Sequence, residues 1–101
     1  MTSLATIREA IEAVDARLIA VLAERIGLAR AAGCAKAANG EPVVDPAREA
    51  AVVARASALA RAAGLPEDEI RGLYWRLLAM SRRVQLGERQ QTTDFERETG
   101  E

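Results

Sequence analysis

The segment from Leu4 to Ala38, LATIREAIEAVDARLIAVLAERIGLARAAGCAKAA, runs 35 residues without a proline and with only two glycines, and so reads as one uninterrupted helix. Written in heptads, one row runs through Leu4, Ile11, Leu18, Arg25 and Ala32, and its companion through Ile7, Val14, Val21, Leu28 and Ala35. Nine of those ten positions are apolar, and Arg25 is the exception. At about 1.5 Å per residue such a helix is roughly 52 Å long, whereas a compact domain of about 100 residues has a diameter of about 34 Å. One chain cannot shield so long a seam. The expectation is an intertwined dimer or higher oligomer in which the long helices of different chains cover one another.

The rest of the composition narrows the chemistry more than the fold. With 101 residues, 50% of them hydrophobic and only 3% aromatic, the chain has room for one small domain with an aliphatic, alanine-rich core, a size at which association is a common source of stability. A formal net charge of -1 gives no basis for a general nucleic-acid or anionic-membrane surface, so neither partner is expected. Histidine is absent and Cys34 is the single cysteine, which excludes a Ser-His-Asp triad, a Cys-His pair and a Cys/His zinc site within one chain. Cys34 is read as a small packing residue in a reducing compartment. The opening MTSLATIREA lacks a basic segment followed by an apolar one, and no apolar run approaches the ~20 residues that span a bilayer. A cytoplasmic location is the default expectation.

Three helices account for the chain in order. Thr2 or Ser3 caps the first, which ends at Asn39-Gly40-Glu41-Pro42, where Asn and Gly accept left-handed backbone angles and proline stops the helix. Asp45 as N-cap and Pro46 at the first helical position start the second, expected to run to about Ala63 before Gly64. The third begins near Pro66 with the acidic turn Glu67-Asp68-Glu69 and is expected to reach about Gln90, its apolar stripe being Ile70, Leu73, Tyr74, Leu77, Leu78 and Val84. Residues 91–101 are polar and unpatterned, and are read as a frayed or disordered tail outside a helical domain of residues 1–90.

Several polar residues occupy places that packing alone would fill with apolar side chains. Arg25 interrupts the seam, and a buried guanidinium must either meet a carboxylate or face a cavity that holds an anion. Lys36 is the only lysine beside thirteen arginines, and it lies eleven residues on, about 20° around the helix and about 16 Å along it. Both cations share one face, although Lys36 could equally snorkel at a helix end. Arg48 sits in the first turn of the second helix, against the dipole, beside Glu49 and the N-cap Asp45. Ser81 and Gln85, four residues apart, continue the third helix's buried stripe where leucine would be expected, and both need hydrogen-bond partners. Arg8 lies seventeen residues before Arg25, about 25 Å along the same helix. It can join the other cations only from a second subunit.

This pattern resembles the all-helical class of the chorismate mutase family, in its bacterial intertwined-dimer form. The matching pieces are TIREAIEAVDARLIAVLAER with Arg8 and Arg25, GCAK with Lys36, PVVDPARE with Asp45, Arg48 and Glu49, and SRRVQ with Ser81 and Gln85, over about Leu4 to Arg89. The resemblance implies an all-α, three-helix chain in a homodimer. It also implies a cofactor-free and metal-free Claisen rearrangement of chorismate to prephenate in aromatic amino acid biosynthesis. By the same resemblance Lys36 and Gln85 are catalytic donors to the ether oxygen, and Arg25 and the partner's Arg8 hold carboxylates. Arg48 and Ser81 help to position the substrate, while Asp45 and Glu49 receive the ring hydroxyl. Isochorismate pyruvate lyase shares the fold but differs at the positions of Glu49 and Ser81. A mutase for 4-amino-4-deoxychorismate stays open, because Asp45 and Glu49 could receive an ammonium. A non-enzymatic dimerisation module would explain the seam but not Arg25, Ser81 and Gln85.

Overall fold

The computed structural model describes the backbone of residues 2–99 and the side chains of residues 2–87. It contains three helices, α1 (Leu4–Asn39), α2 (Pro46–Ala62) and α3 (Glu67–Thr99), with no strand among the described residues. The all-α expectation is met. Helix α3 is the element against which both α1 and α2 pack.

Local chemistry sets each boundary. The Ser3 hydroxyl caps α1 by accepting from the Thr6 N–H at 3.1 Å. At the other end Gly40 takes φ 68, and the N–H groups of Gly40 and Glu41 donate to the carbonyls of Ala37 (3.3 Å) and Lys36 (2.8 Å), closing a Schellman motif. Asp45 caps α2 through a 3.1 Å bond from the Arg48 N–H, with Pro46 following. A second Schellman motif closes α2, where Gly64 has φ 73 and Leu65 N–H donates to the Ala60 carbonyl at 2.8 Å. The corner is fastened by side chains as well. Ser57 Oγ donates to Glu67 Oε1 (3.2 Å) and accepts from Arg71 (2.7 Å), while Arg61 Nε donates to the same carboxylate at 3.0 Å. The Arg61 hydrogen bond, chiefly, holds the Glu67 carboxyl below its ordinary range.

Three expectations differ from what is found. Helix α3 passes the expected end at about Gln90 and continues to Thr99, because residues 88–99 contain neither glycine nor proline and their Glu, Gln and Arg side chains are good helix formers. Gly100 and Glu101, the rest of the expected tail, lie outside the described residues. Leu73, assigned to the packed stripe of α3, is exposed, whereas Leu78 is buried. Cys34 is exposed rather than packed.

The seam of α1 is bare in the single chain. Every residue from Thr2 to Val21 is exposed, and packing of α1 begins only at Leu22, with Ala29 and Gly33 buried further on. Leu18 in the middle of the seam keeps 63% of its surface accessible. The chain measures 70 × 29 × 15 Å with a radius of gyration of 18.2 Å, against about 13 Å for a compact domain of this size. Its buried apolar side chains are mostly small ones, including Ala29, Val53, Ala56 and Ala60. No helix among the described residues is long and apolar enough to cross a membrane.

The αL cap of α1 gives a direct stability test. Gly40→Ala places a Cβ on a residue at φ 68 and should cost about 1–2 kcal/mol, read as a lower urea midpoint with an unchanged m-value.

Candidate active site

One cavity of about 400 Å³ opens where the C-terminal half of α1, the N-terminal turn of α2 and the middle of α3 meet. Its lining includes Arg25 and Lys36 from α1, Asp45, Arg48 and Glu49 from the start of α2, and Ser81 and Gln85 from α3. Seven of the eight residues singled out in the sequence therefore converge on one space of small-molecule size. Arg8 does not line it. It stands on the exposed N-terminal half of α1, as the 17-residue separation from Arg25 requires.

Close helix approach makes the cavity possible. Gly33 of α1 faces α3 so tightly that a Cβ there would lie 3.0 Å from Gln85 Cα and 3.2 Å from Gln85 Cβ. With no side chain between the helices, Lys36 one turn further on reaches across, and its Nζ donates to Gln85 Oε1 at 2.9 Å. The same ammonium donates to the Val43 carbonyl at 3.0 Å, so the α1–α2 connection is tied to both helices. Because an ammonium only donates, the Gln85 carboxamide turns its oxygen to Lys36 and leaves its NH₂ group to donate elsewhere. Lys36 has three N–H bonds, two of which go to these acceptors. One remains.

Arg25 is held differently. Its NH1 donates to Ser81 Oγ at 2.9 Å, and Ser81 passes its own hydrogen to the Leu77 carbonyl at 2.9 Å. The guanidinium carbon also stands 5.9 Å from the centroid of the Tyr74 ring, within cation–π range. Among the described residues no carboxylate pairs with Arg25. Of the two arrangements that its seam position allowed, it adopts the cavity-facing one. Ser81 and Gln85 are buried, and the oxygen of each side chain accepts from one of the two α1 cations. Asp45 has a structural duty, since Oδ1 caps α2, and its second oxygen carries no such bond. Glu49 Oε2 lies 3.5 Å from Arg82 Nε, an ion-pair distance without hydrogen-bond geometry.

Three contributors escaped the sequence reading. Val43 acts through its backbone carbonyl, and the only sequence signal was an apolar residue in a short connection, which the structure buries at 5% exposure. Tyr74 was assigned to packing and in addition faces Arg25. Arg82 lines the cavity beside Ser81 and three residues before Gln85, a helical spacing that could have revealed it. No cluster of His, Cys, Asp and Glu among the described residues is arranged to hold a metal.

Fold and cavity together define an all-helical protein with one open cavity lined by the cations Arg25, Lys36, Arg48 and Arg82. Residues 7–86 match the family described as chorismate mutase type II, and the chain belongs to that family. It is also similar to the T-protein of Enterobacter agglomerans, with 33% identity over 81 residues, or 80% of this chain. The matched stretch is 22% of that protein's length.

The helix contact at Gly33 yields a paired test. Gly33→Ala forces a Cβ against the Gln85 backbone and should destabilise by about 1–3 kcal/mol, whereas Gly72→Ala on α3, where nothing lies within 4 Å, should be neutral or stabilising by up to about 1 kcal/mol. Urea denaturation of both variants checks the contrast.

Proposed function

We propose that this chain is a chorismate mutase that converts chorismate to prephenate by an unassisted-by-cofactor Claisen rearrangement, within aromatic amino acid biosynthesis in the cytoplasm. The observation that carries the reading is the convergence of Arg25, Arg48, Lys36 and Gln85 on one cavity in a member of this family. In the reaction the ether C–O bond breaks while a C–C bond forms at the ring, and no proton moves. The enzyme's task is therefore to hold the compact conformer and to stabilise the negative charge that grows on the ether oxygen.

The residues meet that task in the following way. The remaining N–H of Lys36 and the NH₂ of Gln85 donate to the ether oxygen, two donors pre-set by their mutual 2.9 Å bond. Arg25, oriented by Ser81, holds one carboxylate by charge-assisted hydrogen bonds. Arg48 helps to position the same substrate. Asp45, through the oxygen that does not cap α2, and Glu49 receive the ring hydroxyl. Arg8 of the partner subunit supplies the second carboxylate contact in a homodimer. Support for the dimer comes from the exposed residues Leu4, Ile7, Ile11, Val14, Leu18 and Val21, which leave an apolar surface along the N-terminal half of α1. The catalytic unit comprises residues 1–90.

Purified protein supplied separately with chorismate, isochorismate and 4-amino-4-deoxychorismate should consume chorismate by far the fastest; inactivity on all three would sink the reading. Mixing Arg8→Ala chains with Arg25→Ala chains should recover roughly a quarter of wild-type activity, since half the dimers would carry one intact site. No recovery after verified subunit exchange would count against a shared site. Lys36→Ala should lower kcat by about 10²–10³ while costing only about 1 kcal/mol of stability, as judged by steady-state kinetics and urea denaturation on the same preparation.

A further inference from the structure

Arg82 belongs to none of the roles assigned so far, yet it lines the cavity. Its Nε is buried without a hydrogen bond. A buried donor left unmade is costly, so its surroundings matter. The carboxylate it faces is Glu49 Oε2 at 3.5 Å, on a side chain only 14% exposed. A shift of a few tenths of an ångström in either partner converts this ion pair into a charge-assisted hydrogen bond.

Charge around Glu49 is uneven. Asp45 lies one helical turn before it at the start of α2, with Arg48 between them, while Arg25 and Lys36 line the same cavity from α1. Without Arg82 the Asp45–Glu49 end would hold two carboxylates against a single close guanidinium of α2. Such an end would suit a cationic ring substituent as well as a neutral one. With Arg82 present the Glu49 charge is offset from the α3 side, and the carboxylate is held as an oriented acceptor.

We propose that Arg82 is a positioning and specificity-determining residue that holds Glu49 against α3 and offsets its charge, so that this end of the cavity takes a neutral hydroxyl in preference to an ammonium. The inference rests on the mutase reading and deepens it by selecting between two substrates that differ only in that ring substituent. Arg82 does not touch the reacting atoms. It acts through Glu49.

The test compares wild type, Arg82→Gln and Arg82→Lys on chorismate and 4-amino-4-deoxychorismate, with folding checked by circular dichroism. Preference is the ratio of kcat/KM values, or the ratio of the amino compound's inhibition constant to the KM for chorismate where the amino compound is not turned over. Arg82→Gln should raise the KM for chorismate more than it lowers kcat, and should reduce the preference for the hydroxyl compound by roughly three- to tenfold. Arg82→Lys keeps the charge and should retain most of the preference. In a Glu49→Gln background, Arg82→Gln should change the preference no further, because the group it acts through is already neutral. An unchanged preference in Arg82→Gln, or equal effects in the Glu49 and Glu49→Gln backgrounds, would overturn the role of Arg82 while leaving the mutase reading intact. Wild-type protein that neither consumes nor binds either compound overturns the mutase reading and this inference with it.

Discussion

Lys36 Nζ donates to the Val43 carbonyl and to Gln85 Oε1, and in doing so joins the last turn of α1, the connection to α2 and the middle of α3 at one point. The placement of the α2 side of the cavity depends on that junction. The Asn39–Asp45 connection is short and has few anchors of its own; Val43 supplies both the buried side chain and the carbonyl that fix it. Once it is fixed, the Asp45 cap determines where α2 begins, and hence where Arg48 and Glu49 stand. The junction in turn needs α1 and α3 at close range, and Gly33 suits it, since a Cβ there would stand only 3.0 Å from Gln85 Cα. A helix end, a tight turn and a glycine contact thus converge on one ammonium. Its three donors leave it able to serve structure and chemistry together.

The cavity concentrates half-buried cations, and the partners that hold them differ from one to the next. Arg25 is set by a neutral hydroxyl and the face of Tyr74, and Lys36 by two neutral carbonyl oxygens. Neutral partners orient a cation without cancelling its charge, so the field of Arg25 and Lys36 stays directed at the cavity. Arg82 is the exception, since its partner is the Glu49 carboxylate. That division suits a site in which an anionic substrate meets uncompensated cations at one end and an oriented carboxylate at the other. The salt bridges at the α2–α3 corner have another character. Arg61 and Glu67 are bonded directly, away from the cavity, and they fasten a turn.

Much of this was legible in the sequence, and the parts that were not have physical reasons. The helix boundaries followed from Ser3, Gly40, Asp45, Pro46 and Gly64, because caps and left-handed turns are local chemistry. Arg25, Ser81 and Gln85 stood out as polar residues in apolar rows, and the structure pairs Arg25 with Ser81. Arg82 stood out less, since an arginine on a helix that already carries Arg71, Arg76 and Arg83 gives no contrast with its surroundings. The Val43 carbonyl was invisible because every residue has one. The run of α3 to Thr99 has no apolar stripe to signal it, and a polar stretch ends a helix only where it holds a breaker or a cap.

The two halves of α1 then have different work in the proposed dimer. Arg8 and Arg25 are separated by 17 residues, which at about 100° per residue leaves them roughly 100° apart around the helix as well as about 25 Å apart along it. A single cavity on one side of a straight helix cannot use both. Two cavities related by a twofold axis can, if each takes Arg25 from the packed half of its own helix and Arg8 from the bare half of the other. In that proposed dimer the apolar row between them would face the partner and not the cavity, in keeping with a row that is aliphatic up to Val21 and polar at Arg25. A compact monomer would gain nothing from a helix of 36 residues. In a dimer that length is what carries a guanidinium from one subunit into the site of the next.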